Sequence, residues 1–131
     1  MIEAEVACAA CGKRAARFVL LEPGEVDPRT ADSSPPGMES VNADQHRLSI
    51  DAGRLSVTIW TAAVPEIGHL VESADVEGLH GMDSEFAPVW CPDCHAPYCA
   101  DDWLVHDVDD DGFYDYTAGT CPKGHRRILM D

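Results

Sequence analysis

The sequence predicts a small, strand-rich α+β domain held together by metal, with ligand-bearing segments at both ends of the chain closing around a hairpin-plus-helix insertion. Three observations predict it. Four of the six cysteines in 131 residues form the close pairs Cys8/Cys11 and Cys91/Cys94, and Cys99 and Cys121 each have another candidate ligand three or four positions on. The middle alternates apolar and polar residues at strand period. A single stretch, 65–74, carries apolar residues at helical spacing.

Length and composition set the frame. A chain of 131 residues suits one domain rather than two independent cores. It has no run of about 18 apolar residues that would read as a membrane span. The N-terminal stretch has the small-residue steps of a signal peptide. However, Glu3 and Glu5 stand where a basic region belongs, and no apolar region follows. The expectation is a cytoplasmic protein, and in a reducing compartment paired cysteines read as metal ligands rather than disulfides. With 24 acidic and 9 basic residues the formal charge is −15. Nucleic-acid affinity rests on Lys and Arg neutralising phosphates, so this sign argues against a nucleic-acid partner.

In chain order, Cys8 and Cys11 form the first pair, and Arg17–Leu21 reads as a short strand. Residues 22–45 hold Pro23, Pro28, Pro35 and Pro36 among acids and small residues, the composition of a flexible loop. Leu48 and Ile50, then Leu55, Val57 and Ile59, alternate on either side of Ala52-Gly53, which predicts a β-hairpin. Pro65 opens a helix over 65–74 through Ile67, Leu70, Val71 and Ala74, with Gly68 weakening it, and a further helical turn covers 75–82. Phe86–Trp90 reads as a strand running into Cys91. The expected organisation is one domain over 1–131. Segments 1–21 and 86–131 form the metal-binding part, 22–45 a flexible loop, and 46–85 the hairpin and helix insertion.

The chemistry lies in the pairs. Cys8-x2-Cys11 is followed by Gly12, Cys91-Pro-Asp-Cys94 has a stiffening proline, and Cys121-Pro-Lys-Gly-His125 is a longer version of the same grip. Zinc takes four ligands from sulfur, imidazole nitrogen or carboxylate, and a tight turn can point two of them at one ion. Eight ligands would fill two zinc sites, and Cys99 needs a partner. Asp102 gives a Cys-x2-Asp pair and is favoured over His106, seven residues on. The expected metal ligands are therefore Cys8, Cys11, Cys91, Cys94, Cys99, Asp102, Cys121 and His125, holding two Zn2+ ions. Lys13, Arg14, Arg17, Lys123, Arg126 and Arg127 flank the pairs and would offset thiolate charge.

The order 8/11, 91/94, 99/102, 121/125 resembles the cross-brace plan of RING and B-box zinc fingers. In that plan pairs one and three share an ion, and pairs two and four share the other. The segment from Cys91 to Trp103, with the ending GFYDYTAGTCPKGHRR, is also similar to small bacterial zinc-finger proteins. The resemblance implies a cross-brace zinc finger carrying the hairpin-plus-helix insertion, and a RING-like adaptor acting by protein–protein contact. A sequential pairing of Cys8, Cys11, Cys91 and Cys94 remains the alternative.

Asp107–Gly112 matches the opening of a calcium loop, but position twelve is Ala118 rather than Glu, so a solvated acidic loop is the favoured reading. No nucleophile–base pairing, HExxH or phosphate loop occurs, and no catalytic residue is expected. The expected function is a zinc-binding protein-interaction module with a protein partner. A nucleic-acid-binding ribbon and a zinc hydrolase with one open coordination position are the alternatives. Trp103 and Phe113 are expected to cap the zinc core, and Tyr114 to be exposed as an interface anchor.

Overall fold

The computed structural model describes residues 1–25, 27, 45–62 and 64–131. The flexible loop expected over 22–45 falls mostly on residues 26 and 28–44, outside the described residues.

Strands β1 (Ile2–Ala7), β2 (Arg14–Leu21), β3 (His46–Asp51) and β4 (Val57–Thr61) form one antiparallel sheet in that order. Its organiser is β2. Ala15 to Leu21 is buried on both faces of the pleat, a pattern that requires a neighbour on each edge and cover on each side. The register lines up Ile2, Leu20, Leu48 and Ile59 across all four strands. Helix α1 (Val64–Glu72) lies over this row. A methyl group placed at Gly68 would sit 3.6 Å from Ile2 and 3.8 Å from Leu20, ordinary contact distances. Ile67 and Val71 of the helix join Phe18, Leu48 and Ile50 in the core. Each such side chain contributes about 1.5–3 kcal/mol on burial.

On the opposite face, buried Arg17 pairs with Asp27 at 2.6 Å and with Glu3 at 2.6 Å. These pairs hold the guanidinium's pKa well above its usual value, the Asp27 hydrogen bond most of all.

Helix α2 (Val76–Met82) follows, capped by Asp75, whose side chain accepts from Gly78 N at 2.9 Å. A 3-10 turn (Ser84–Phe86) leads to β5 (Trp90–Cys91), which pairs with β6 (Ala96–Pro97). The strand expected over 86–90 therefore starts only at Trp90, because the 3-10 turn occupies Phe86 and Pro88 brings no N–H to a ladder. A third antiparallel sheet contains β7 (His106–Asp110), β8 (Phe113–Thr120) and β9 (Arg126–Met130). Among the described residues no helix is long and apolar enough to cross a membrane.

The expected fold class requires correction. Among the described residues the structure is strand-dominated, with three antiparallel sheets and two α-helices, and not a cross-brace zinc finger carrying an insertion. The hairpin β3–β4 is not an insertion, since it supplies half of the main sheet. Segment 1–21 supplies the other half. The physical reason is the run from Ala15 to Leu21, too apolar to serve as a tether and satisfied only between β1 and β3.

Candidate metal centres

Each ligand pair sits on a tight turn whose backbone closes on itself. At the first, Gly12 N donates to Cys8 O at 2.9 Å and Cys8 N to Lys13 O at 2.6 Å. Gly12 takes a φ of 76°, which a glycine accepts without a Cβ clash. At the last, Gly124 N donates to Cys121 O at 2.9 Å and Cys121 N to His125 O at 3.0 Å, with Gly124 at φ 91°. After Cys94 the left-handed position is filled by His95, at φ 50°. Its ring points outward, 3.4 Å from Glu77.

These turns converge as two clusters. Cys8, Cys11, Cys99 and Asp102 form the N-terminal cluster, and Cys91, Cys94, Cys121 and His125 form the C-terminal one. In each, the candidate ligand atoms all lie within 4.8 Å of one another. Cys11 Sγ stands 3.7 Å from Cys99 Sγ, and Asp102 Oδ2 lies 2.9 Å from Cys8 Sγ and 3.3 Å from Cys99 Sγ. In the other cluster Cys94 Sγ is 3.7 Å from Cys121 Sγ, and His125 Nδ1 is 3.2, 3.3 and 3.8 Å from Cys94, Cys121 and Cys91. All six cysteines are free.

A tetrahedral ion with metal–sulfur bonds near 2.3 Å would set sulfurs about 3.8 Å apart, and sulfur to nitrogen about 3.5 Å. The sulfur–sulfur separations of 3.7 Å match that size, and the sulfur to nitrogen or oxygen separations run from 2.9 to 3.8 Å around it, so the donor sets fit a four-coordinate metal ion. Among the described residues each metal-binding group has four members. His106 is exposed, 3.4 Å from Leu104 O, and is not brought to Cys99.

One buried aromatic joins the turns. Trp103 is fully buried, donates from Nε1 to Val89 O at 2.9 Å, and accepts at its carbonyl from Thr120 N at 2.6 Å. Its indole meets Tyr98 edge-on at 6.0 Å. Beneath it Gly119 is required by close approach: a Cβ there would lie 2.7 Å from Trp103 O. Ala9 N donates to Pro97 O at 2.9 Å, tying the first turn to β6.

Without metal, the two clusters differ in ionisation. Burial pushes Cys99 up to about 12 and Cys91 up to about 11. Burial also opposes ionisation of Cys121, but hydrogen bonds from the backbone at His125 and Lys123 outweigh it and bring that thiol down to about 7. The thiols of Cys8, Cys11 and Cys99 donate to Asp102 and hold its carboxyl below the usual range.

Other expected residues fall elsewhere. Arg17 is engaged with Asp27 and Glu3, and Arg127 donates to Trp90 O at 2.9 Å and reaches His80. Phe113, expected in the zinc core, is 78% exposed at a hairpin tip. The acidic run is that hairpin: Asp111 and Gly112 take φ of 50° and 82°, the Asp-Gly turn that strand twist favours. An Asp-Gly step between alternating residues was the signal that could have found it. The strands spread the aspartates over two faces, and no metal-binding group among the described residues includes them.

The chain belongs to the family described as a domain of unknown function (DUF8328), whose model matches residues 1–131. No curated protein and no solved structure matches it.

Proposed function

We propose that each cluster holds one Zn2+ in a structural role, and that the protein so assembled acts by presenting a surface to a protein partner. The observation that carries the metal assignment is the fit of two four-donor, sulfur-rich clusters to tetrahedral dimensions. Sulfur-rich sites with four protein ligands leave no position for water or substrate, which favours a structural role over hydrolysis. Thiolate with imidazole or one carboxylate suits zinc better than magnesium or calcium, which take oxygen ligands. The interaction role rests on chemistry that is left over. The net charge disfavours phosphate backbones. The open cleft of about 340 Å³ beside Cys99 sets Asp51 and Asp101 against Arg14 and Arg54, which gives an anionic ligand no net attraction.

Elemental analysis and native mass spectrometry of the purified chain should return two zinc ions. A strong chelator should then melt the sheets β5–β6 and β7–β9 and lower the overall stability, because binding energy at such sites is folding energy. A metal-free protein of unchanged stability would refute the structural-zinc assignment.

A further inference from the structure

The sheet β7–β8–β9 has one face turned into the molecule and one turned out. The inner face is identified by Gly119 under Trp103, and by Thr117, buried and bonded to Asp107 at 2.9 Å. The register assigns the other face. His106 pairs with Ala118 and Ala118 with Ile128, Val108 pairs with Tyr116, and Asp110 pairs with Phe113. The bulge after Val108 shifts Tyr114 to the inner-face side, where its hydroxyl meets Thr117 at 2.8 Å. Phe113 consequently joins Tyr116, Val108 and Ile128 on the outer face. Phe113 is 78% and Ile128 52% exposed, and Val108 and Tyr116 are half-buried. These side chains form an aromatic and aliphatic stripe on a strand surface, the composition of an interface centre rather than of ordinary surface.

Three aspartates adjoin it: Asp110 beside Phe113, Asp111 in the turn and Asp115 at the bulge, while Asp107 and Asp109 lie on the inner-face side with Thr117 and Tyr114. Charge selects the occupant. A second copy would bring the same aspartates and a further −15 to the contact. A membrane surface or a nucleic acid is repelled for the same reason. We infer that this outer face docks a basic polypeptide segment, its apolar side chains on Phe113, Tyr116 and Ile128, with Lys or Arg facing the aspartate rim. The inference deepens the interaction role proposed above and rests on it. The rim would speed encounter, and the apolar centre would hold the complex.

The test pans a displayed library of random peptides against the immobilised, metal-loaded full chain, then measures the enriched peptides by fluorescence anisotropy. Enriched sequences should combine Lys or Arg with apolar residues. Phe113→Ser and Ile128→Ser should each weaken binding at least about tenfold with metal content and melting temperature retained. Asp110→Asn with Asp111→Asn should weaken it by about threefold and flatten its salt dependence.

Basic peptides that bind the Phe113→Ser/Ile128→Ser double variant undiminished would overturn the face while leaving the interaction role standing. Enrichment of neutral or acidic sequences would overturn the partner class. Failure to enrich any peptide would overturn both face and role. A dimer in sedimentation that Phe113→Ser dissolves would make the second copy the occupant and overturn the basic partner.

Discussion

The N-terminal cluster joins residues 88 to 94 positions apart, whereas the C-terminal cluster joins residues no more than 34 apart. The first fastens the turn after β1 to the segment before β7. The second is local to the last 41 residues and lies between β5 and β9. Their surroundings differ as much as their span. Cys11 is exposed and a carboxylate completes its site, while Cys91 and Cys121 are buried and an imidazole completes theirs. The sheet β1–β4 has its own apolar rows and does not depend on a metal for its core. The small sheets β5–β6 and β7–β9 and their connections bury Val89, Trp90, Tyr98, Trp103, Val105 and Leu129, with no apolar row across four strands as in the main sheet. An ion bound at the second cluster would therefore add to a smaller core, and one bound at the first would act as a fastener between halves.

The strongest way to break that comparison is Cys121→Ser against Cys8→Ser. Cys121 is 2% exposed, and its sulfur touches Cys94 and His125 as well as receiving His125 N at 3.4 Å. Its loss should remove one ion and melt β5–β9, since structural zinc contributes on the order of 10 kcal/mol to small domains. Cys8→Ser should also remove one ion but leave the β1–β4 sheet folded. Native mass spectrometry and amide exchange read both. Equal protection of the two halves in both variants would remove the distinction.

Next in size is the identity of the fourth donor. Carboxylate is a harder, weaker partner for a thiolate-bound ion than imidazole. Cys99, pushed up to about 12 without metal, must also give up a proton to bind one, as must Cys91 at about 11, but in the second cluster Cys121 is brought down to about 7. Protons compete with metal, so on acidification the N-terminal cluster should release its ion first. At neutral pH it should release to a chelator at least about tenfold faster. Asp102→His should slow that release toward the rate of the other site, and Asp102→Asn should speed it. Two sites that empty together, unmoved by either substitution, would show that donor type does not set the difference.

The same contrast explains what was legible. The ligand pairs are legible because each is a local turn, where two or three intervening residues fix the geometry. The joining of Cys8 and Cys11 to Cys99 and Asp102 followed only from a resemblance, since no spacing rule spans 88 residues. Within the main sheet the strand over Arg17–Leu21 and the hairpin are legible, while β1 and the start of β2 are not, for a physical reason. Glu3 and Glu5 leave no apolar run at β1, yet they alternate with Ile2, Ala4 and Val6, which lie against the core. Arg17 broke the apolar run of β2, and nothing local indicates that Asp27 and Glu3 neutralise it. Phe113 was placed in the core because so few apolar residues surround the ligands. Its neighbour Gly112 places it instead at a turn.

A smaller effect separates ligand loss from strand displacement. Gly119 lies two residues before Cys121, where a Cβ would meet Trp103 O at 2.7 Å and Leu129 at 2.8 Å. Gly119→Ala should cost about 1–3 kcal/mol, the range for overpacking. Both ions should remain bound, because the turn at Cys121 keeps its own hydrogen bonds. Thermal unfolding with metal analysis tests this. Loss of the C-terminal ion alone would mean that β8 positions Cys121 more than the turn does.

The smallest expected effect belongs to Tyr114. It is 54% exposed, like an anchor for a partner, yet its hydroxyl closes a chain through Thr117 to Asp107 on the inner-face side of the sheet. Tyr114→Ala removes one end of that chain and leaves Thr117 still paired with Asp107. The loss should therefore be one hydrogen bond, about 0.5–1.5 kcal/mol. Neither cluster contacts the ring through any of these bonds, so both ions should stay at wild-type content and chelator release rates should not change. Because the bulge turns Tyr114 away from Phe113, binding of a basic peptide should also be unaffected. A variant that keeps its metal and stability but loses peptide binding would place the docking surface on Tyr114's side of the hairpin. A variant that loses the C-terminal ion would show that the hairpin tip, and not the turns alone, holds that site in shape.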